Sequence, residues 1–254
     1  MSGFDSSASG AAPPALALVT GSTKGIGLAV ARMLLRRGCR VIGNYGHDEA
    51  AAETARVGLG ELAARLTLVK ADLSRLDGIG PLVAAVDGAG GVLHYLVPNV
   101  GVTDKTPFGK VAPEGWERVL ATNLTVPFFL TQELAGRLRD GEGRIVFIGS
   151  MMGIRPHGMS FSYGASKAGL HFLARELVKA MSPRGITVNV IAPVFVETSM
   201  QDDKAPDHRG RVESKISLRR FARPGEVALA VESLLGLGYV TGQILAVDGG
   251  YDYE

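Results

Sequence analysis

Residues 15–45 read ALALVTGSTKGIGLAVARMLLRRGCRVIGNY, and they contain the pattern that decides the fold. The run 15–21 is apolar and ends in glycine, residues 28–38 carry apolar side chains at helical spacing, and 39–45 is apolar again. A strand, a helix and a second strand in this order form the repeating unit of a parallel sheet. Residues 20–27, TGSTKGIG, join the first strand to the helix.

The same alternation continues to the end of the chain. Further strands are predicted at 66–73, 93–101, 143–150, 185–193 and 242–250. A helix that ends near residue 64 follows the second strand, and two more helices are predicted at 116–138 and 162–181. We expect strain in the long helix near Pro127, because proline removes a backbone donor. The polar segment 197–217 is typical of a mobile lid. The prediction is an α/β fold with a single doubly wound parallel (Rossmann-type) sheet of about seven strands and helices on both faces.

Composition narrows the function classes. The chain has 254 residues, 46% hydrophobic and 20% charged, with a formal net charge of +2, which argues against nucleic acid and anionic membranes as partners. Its one cysteine, Cys39, excludes an internal disulfide and favours a reducing, cytoplasmic setting. We expect residues 1–14 to be a disordered leader and 15–254 to form one dinucleotide-binding and catalytic domain.

The turn TGSTKGIG is suited to a phosphate. Gly21, Gly25 and Gly27 precede a helix, where backbone N–H groups and the helix dipole favour an anion such as a pyrophosphate. No GK[ST] follows, so the turn is not a Walker loop. Glycine-rich turns are common, and the position after the first strand is what favours a dinucleotide.

The second strand indicates which dinucleotide binds. An NAD site usually has an acidic residue at the end of this strand, but here Asn44 and Tyr45 stand there and the first carboxylate is Asp48. Lys24 in the glycine-rich turn would suit a 2′-phosphate, and the alternative is a solvated loop lysine. These residues predict NADPH/NADP+ as the cofactor. Asp72 would contact the adenine edge or cap the next helix.

Several short motifs occur in one order along the chain. They are TGSTKGIG, NVG (99–101), TNLT (122–125), IGS (148–150), YGASK (163–167), VNVIAP (188–193) and TGQILAVDGG (241–250). This ordered set resembles the classical short-chain dehydrogenases/reductases over about residues 15–251. Within that family the chain looks most similar to 3-oxoacyl-acyl-carrier-protein reductases and related NADPH-dependent ketone reductases.

The resemblance implies a catalytic set of Asn123, Ser150, Tyr163 and Lys167. Tyr163 would protonate a carbonyl oxygen, Ser150 would bind that oxygen, and Asn123 would hold a water that relays protons through Lys167. Tyr163 and Lys167 are one helical turn apart, so we expect the ammonium to lower the pKa of the phenol. The implied cofactor contacts are Gly21, Ser22, Thr23, Lys24, Gly25, Ile26, Gly27, Asn44, Tyr45, Asp72, Leu73, Asn99, Gly101, Tyr163, Lys167, Pro193, Val196 and Thr198.

Each of these residues also has a structural interpretation. Tyr163 could pack at a helix start, Ser150 could cap a helix, and Asn123 could be a surface residue. We reject His157 and His171 as bases, because the tyrosine and lysine fill that role and a single helical histidine usually packs.

The chain departs from the family at several positions. Pro98 replaces an asparagine and Val194 replaces a glycine beside the nicotinamide pocket. Arg184 matches one of two basic residues with which acyl-carrier reductases grip their carrier, but Gly141 stands at the other position. The carrier assignment is weakened by this difference, and the reductase assignment is not.

The preferred interpretation is reduction of a ketone, such as a β-ketoacyl group, to a secondary alcohol. Two alternatives stay open: an NAD(P)+-dependent alcohol, sugar or steroid dehydrogenase, and a non-catalytic NADP-binding regulatory protein. The expected partners are a small carbonyl substrate, free or as a carrier-bound acyl chain, and three further copies of the chain in a homotetramer. We expect substrate to enter over 197–217, near Met151, Met152, Met159 and Phe195.

Overall fold

The computed structural model describes residues 14–156, 160–198 and 206–251. Seven strands form one parallel sheet in the order β3-β2-β1-β4-β5-β6-β7. The strands are β1 (Leu16–Val19), β2 (Arg40–Tyr45), β3 (Leu66–Lys70), β4 (Tyr95–Val97), β5 (Arg144–Ile148), β6 (Thr187–Pro193) and β7 (Ile244–Val247). The predicted fold class and strand number are confirmed.

Eight α-helices connect or follow these strands in the described part of the chain. They are α1 (Gly25–Arg36), α2 (Glu49–Leu59), α3 (Ile79–Gly88), α4 (Pro113–Leu120), α5 (Val126–Leu134), α6 (Phe161–Met181), α7 (Pro206–Glu213) and α8 (Pro224–Gly236). Neither α3 nor α8 was predicted from the sequence. In α3 the reason is visible. Its apolar side chains are not confined to one face, which makes its helical periodicity weak.

Alternate residues of each strand face opposite sides of the sheet, and both sides are covered. Leu16 and Leu18 of β1 belong to a core that α3, α5 and α6 complete. Ala17 and Val19 belong to a second core with α1 and α8. This division explains why the central strands are apolar on both faces, while the edge strands β3 and β7 keep some exposed residues.

The strand order reverses between β1 and β4. The chain leaves β1 towards β2 and β3 and then returns to the other side of β1 as β4. Loops after these two strands therefore diverge and leave a crevice at the carboxyl edge of the sheet, which is where ligands bind in open α/β sheets. The glycine-rich turn after β1 lies in this crevice.

The long helix predicted at 116–138 is interrupted. One turn of π-helix, Ala121–Thr125, separates α4 from α5, and a 3₁₀ turn, Ala135–Arg137, ends the segment. Pro127 lacks the N–H group that an α-helix would direct to the carbonyl of Asn123. The strain expected at Pro127 thus appears as a wider turn that contains a predicted catalytic residue.

Part of the segment 197–217 is helical. Helix α7 occupies its second half, whereas 199–205 lie outside the described residues. Residues 1–13, His157 and Met159 also lie outside them, so the leader and the mobility of the lid stay predictions. Among the described helices, none combines the length and the apolar character that crossing a membrane requires.

Candidate active site

A cavity of about 290 Å³ opens at the carboxyl edge of the sheet. Twelve of the predicted site residues line it: Gly21, Lys24, Gly25, Ile26, Asn99, Gly101, Ser150, Tyr163, Lys167, Pro193, Val196 and Thr198. Four further residues complete the lining, namely Val100, Ile148, Gly149 and Val194. The other predicted residues, Ser22, Thr23, Gly27, Asn44, Tyr45, Asp72, Leu73 and Asn123, lie behind or beside this wall.

The glycine-rich turn has the shape that a phosphate needs. Gly21 and Gly25 have φ of +62° and +51°, values that residues with a Cβ rarely adopt. A Cβ on Gly27 would lie 2.1 Å from the carbonyl oxygen of Gly21, so only glycine allows α1 to start this close to the turn. Helix α1 has no side-chain cap and no acidic residue in its first turn. Its free N–H groups therefore fit an anionic pyrophosphate.

Asn99 and Thr20 hold this turn in place. The Asn99 amide donates to the carbonyl oxygens of Thr20 and Gly21 at 2.9 and 3.2 Å. In return, the Thr20 hydroxyl accepts the backbone N–H groups of Asn99 and Val100 at 2.8 and 3.0 Å. These bonds join the ends of β1 and β4, and they place Asn99 at the cavity as predicted.

Asn44 is a supporting residue in this structure. Its side chain is 1% exposed, accepts the Gly21 N–H at 3.3 Å and donates to the carbonyl of Ala71 at 2.9 Å. It thereby ties the glycine-rich turn to the end of β3. Ser22, Thr23 and Leu73 are likewise buried, and Tyr45 is half-buried beside them.

Two exposed side-chain pairs connect the segments that follow β1, β2 and β3. Lys24 forms an ion pair with Asp48, whose other oxygen accepts the Ala51 N–H and caps α2. The Lys24 bond lowers the pKa of the Asp48 carboxyl. Nε2 of His47 lies 3.3 Å from a carboxylate oxygen of Asp72, and Asp72 also accepts the Ser74 N–H at 2.9 Å. The lysine expected to bind a 2′-phosphate is therefore paired with a carboxylate in this structure.

Helix α6 positions Tyr163 and Lys167 on one face. Lys167 is only 3% exposed, and its Nζ donates to the carbonyl oxygen of Ile148 at 2.8 Å. Nζ lies 5.8 Å from the centre of the Tyr163 ring. Burial lowers the pKa of Lys167 from 10.5 to about 8, because a charged ammonium loses solvation there.

The pKa of Tyr163 differs from the expectation. Burial raises the pKa of its phenol above 10.0, and a hydrogen bond with the Ser150 side chain opposes that rise in part. The predicted lowering by Lys167 was wrong for this structure. Desolvation of the buried phenol is the dominant effect on its pKa. Tyr163 is consequently a neutral O–H donor at pH 7.

Ser150 follows the last residues of β5 and faces the same cavity. Its hydroxyl oxygen accepts the Met152 N–H at 3.1 Å and starts a 3₁₀ turn, Met151–Gly153. The structural interpretation as a cap is thus correct. The same hydroxyl still reaches Tyr163, since this contact affects the pKa of the phenol.

Asn123 lies behind the cavity wall, in the π-helical turn. Its amide donates to the carbonyl of Val102 at 2.9 Å and to the hydroxyl of Ser166 at 3.0 Å, and its oxygen accepts the Val102 N–H at 2.9 Å. It is fully buried, so the interpretation as a surface residue was wrong. A Cβ on Gly101 would lie 3.4 Å from Oδ1 of Asn123 and 3.5 Å from Nζ of Lys167, which places these two side chains together.

Sequence reasoning missed three lining residues, Val100, Ile148 and Gly149, and named Val194 only as a departure. Val100 and Ile148 lie within the quoted NVG and IGS motifs, but their apolar side chains give no chemical signal of their own. Gly149 lies within the recognised IGS motif, and a Cβ there would be 2.3 Å from Nε2 of His171. The requirement for glycine comes from a distant helix, so only the structure reveals it.

A third apolar cluster adjoins the cavity beneath α7. It consists of Phe195, Val212, Ile216 and Phe221, with Met152, Val194 and Tyr251 packed against it. Phe195 stacks on Phe221 with ring centres 5.5 Å apart. The cluster includes two of the four residues expected at the substrate entrance, Met152 and Phe195, while Met151 is buried and Met159 is outside the described residues.

The sequence and fold match known proteins over nearly the whole chain. A family model for short chain dehydrogenase matches residues 15–209. Acetoacetyl-CoA reductase of Allochromatium vinosum is 37% identical over 242 residues, which cover 92% of this chain and 97% of that protein. The 3-oxoacyl-(acyl-carrier-protein) reductase FabG of Vibrio harveyi is 32% identical, with coverage of 92% and 96%. Among solved structures, a Pseudomonas aeruginosa RhlG/NADP active-site complex matches with a TM-score of 0.87 and 33% identity, with coverage of 93% and 96%.

These matches agree with the geometry of the cavity. A glycine-rich turn for a dinucleotide, a neutral tyrosine and a buried lysine meet at the edge of a doubly wound sheet. The chain belongs to the short-chain dehydrogenase/reductase family and is an oxidoreductase that acts on CH–OH and C=O groups.

Proposed function

We propose that this protein uses NADPH to reduce a ketone, a β-ketoacyl group or a related carbonyl, to a secondary alcohol, with Tyr163 as the proton donor. One observation carries the proposal: Ser150, Tyr163 and Lys167 line the same cavity as the glycine-rich turn. A donor for the carbonyl oxygen and a cradle for a dinucleotide therefore share one space.

The chain's own residues account for the polar steps. The nicotinamide ring supplies the hydride when the cofactor is bound. Ser150 and Tyr163 would both hydrogen-bond the substrate oxygen, which fixes the carbonyl and withdraws electron density from it. Tyr163 would then give its proton to the developing alkoxide. A raised pKa suits this role, because it keeps the phenol protonated until an alkoxide forms.

Lys167 would stabilise the phenolate that remains. Its side chain lines the cavity with Nζ 5.8 Å from the centre of the Tyr163 ring, and the ammonium would also hold the ribose hydroxyls of the cofactor. The carbonyl of Asn123, deprived of an α-helical donor by Pro127, would bind the water that returns a proton to Lys167. Both side chains lie beside Gly101, where an added Cβ would be 3.4 Å from Oδ1 of Asn123 and 3.5 Å from Nζ of Lys167.

The proposed preference for NADPH depends on Lys24. The Lys24–Asp48 pair is half-exposed at both ends, and such pairs contribute little to stability. A 2′-phosphate offers more negative charge than one carboxylate, so we expect it to displace Asp48 and bind Lys24. The absence of an acidic residue at Asn44 and Tyr45 removes the usual partner of the NAD ribose.

The relatives suggest the substrate class. Acetoacetyl-CoA reductase and a carrier-protein reductase are named for β-ketoacyl thioesters. In this chain, Arg184 donates to the carbonyls of Ala135 and Leu138, each at 2.6 Å, and pairs with Asp140. Since this guanidinium is occupied within the fold, we favour a free thioester or small ketone over a carrier-bound chain.

We also propose a homotetramer in the cytoplasm. Large apolar side chains are exposed on α6 and at the last helix and strand: Phe172, Leu229 and Leu245 are 64%, 60% and 41% exposed. Exposed apolar surface of this kind favours association. Light scattering coupled to size-exclusion chromatography tests the homotetramer, and a monomer at micromolar concentration contradicts it.

The test of function is NADPH oxidation with a panel of ketones. The panel contains acetoacetyl-CoA, the same acyl group on a carrier protein, polycyclic ketones and simple diketones, with NADH as the parallel cofactor. We expect turnover with NADPH and a β-ketoacyl thioester, and none with Tyr163→Phe. Binding of NADPH without oxidation on any ketone would contradict the proposal and favour the regulatory alternative.

A further inference from the structure

His171 lies directly behind the candidate catalytic residues. It follows Tyr163 and Lys167 at successive four-residue steps on α6, and it is 4% exposed. Its ring reaches the turn after β5, where the backbone N–H of Ser150 donates to Nε2 at 3.3 Å. The imidazole therefore contacts the peptide group that presents the Ser150 side chain.

This bond fixes the protonation of the ring. Nε2 accepts a hydrogen bond, so it carries a lone pair, and the proton of the neutral ring is on Nδ1. Nδ1 is buried and has no hydrogen-bond partner within the part of the chain that the structure describes. Leaving a buried N–H unpaired is unfavourable, and a purely apolar side chain at this position would avoid that cost.

Two glycines make room for the ring. A Cβ on Gly149 would lie 2.3 Å from Nε2 of His171, and a Cβ on Gly153 would lie 2.8 Å from its Cε1. Real Cβ atoms do not approach so closely; at Gly153 the backbone of Lys167 and Ala168 is equally near, so it is Gly149 that fits the turn around Ser150 to the imidazole. The Ser150 backbone is extended, with φ of −166° and ψ of 151°, which is the conformation that directs its N–H to the ring.

We propose that His171 is a positioning residue that holds the Ser150 peptide, and with it the Ser150 hydroxyl, in the geometry needed for carbonyl reduction. This role depends on the proposed function of Ser150. Burial, with smaller effects from Lys167 and Arg175, lowers the pKa of His171 to about 4. The ring is thus a neutral acceptor at working pH, and a protonated ring would oppose the Ser150 N–H donor and add charge beside Lys167.

A packing role and a positioning role predict different kinetics. A residue that only fills space affects stability, and any polar or apolar side chain of similar size replaces it. A residue that orients Ser150 affects kcat, needs an acceptor at the place of Nε2, and has no effect once the Ser150 hydroxyl is gone.

The test compares His171→Leu with His171→Gln, alone and with Ser150→Ala. Leucine removes the acceptor, and glutamine places an oxygen where Nε2 stood. We expect H171L to lower kcat about 10- to 100-fold, a change of about 1.4–2.8 kcal/mol, with the KM for NADPH within about threefold of wild type. H171Q should restore most of the rate. With S150A, adding H171L should change kcat by less than about twofold.

His94 supplies a matched control. His94 is partly buried, and like His171 it accepts a backbone N–H: that of Leu16 donates to its Nδ1 at 3.2 Å. It precedes β4 and so lies at the amino end of the strands, away from the cavity. His94→Leu should lower the melting temperature and leave kcat unchanged. If H171L does not fold, His171→Met provides an apolar replacement without a strong acceptor.

Amide exchange gives a readout independent of turnover. We expect the Ser150 N–H to exchange faster in H171L than in wild type, while H171Q retains protection. Equal kcat in H171L and wild type, or additive losses with S150A, would overturn the positioning role while wild-type turnover stood. If the wild-type protein is inactive on every ketone, the proposed function is refuted instead. In that case, an unchanged exchange rate of the Ser150 N–H in H171L also refutes the contact between His171 and Ser150.

Discussion

Replacing Lys167 with methionine should abolish turnover and make the folded protein more stable at pH 7. The ammonium is buried, and its pKa falls from 10.5 in a free side chain to about 8. This difference corresponds to about 3 kcal/mol of unfavourable free energy for the charged form in the folded state. Methionine has a similar length and carries no charge, so it removes that penalty.

The gain is reduced by one lost bond. Nζ donates to the carbonyl oxygen of Ile148 at 2.8 Å, and loss of a buried hydrogen bond costs about 1 kcal/mol. We therefore expect Lys167→Met to raise the free energy of unfolding by about 2 kcal/mol. For a chain of this length that shift raises the melting temperature by about 4–8 °C.

The gain should depend on pH in a defined direction. Between pH 8 and 10.5 the unfolded lysine still holds a proton that the folded one has released, so wild-type stability rises with pH. The advantage of K167M over wild type should accordingly be largest at pH 7 and shrink as the pH rises above 8.

Urea unfolding of the cofactor-free protein at pH 7 and at about pH 9.5 measures both effects. Lys179→Met, on the exposed side of the same helix, is the matched control and should show no gain. The reasoning is refuted if K167M is less stable than wild type at pH 7, or if its advantage does not change with pH.

Three further predictions concern binding and folding. Lys24→Met should weaken the binding of NADPH about tenfold and leave the binding of NADH unchanged, and Asp48→Asn should strengthen NADPH binding because it releases Lys24. Fluorescence titration measures these affinities, and an equal effect on both cofactors contradicts the prediction. Gly27→Ala should weaken NADPH more than tenfold and lower stability by about 1–3 kcal/mol, because its Cβ would overlap the carbonyl of Gly21; an unaffected dissociation constant contradicts it. Arg184→Ala should lower the melting temperature and change kcat/KM equally for free and carrier-bound thioesters, and a loss confined to the carrier-bound substrate would show that Arg184 binds the carrier.

The sheet could be predicted from the sequence because its signals are local. Most strands are apolar runs bounded by glycine or polar residues. Because helices pack on both faces of the sheet, a strand is recognised by its apolar run alone and no alternation pattern is needed. The π-helical turn required more, since Pro127 indicates strain but not the form that the helix takes. Helix α3 was missed because its apolar residues show little helical periodicity.

The site was predictable in so far as motifs place residues at strand ends and on one helical face. Twelve predicted residues line the cavity for that reason. Three features of the site join segments that are distant in sequence. They are the ion pair of Lys24 with Asp48, the burial of Asn44 against Gly21, and the hydrogen bond between His171 and Ser150. Such contacts depend on tertiary packing, and no spacing rule along the chain reports them. The direction of the Tyr163 pKa was missed for the same reason, since burial of the phenol raises it and burial depends on tertiary packing.

The most direct test of the central claim compares Tyr163→Phe with wild type on the same ketone. Phenylalanine removes one oxygen atom and preserves the ring, so the cavity and the glycine-rich turn stay intact. The account predicts that NADPH binds within about threefold of wild type while kcat falls about 10²- to 10⁴-fold, the usual contribution of a positioned proton donor. Wild-type turnover by Y163F would show that another group donates the proton and would contradict the account.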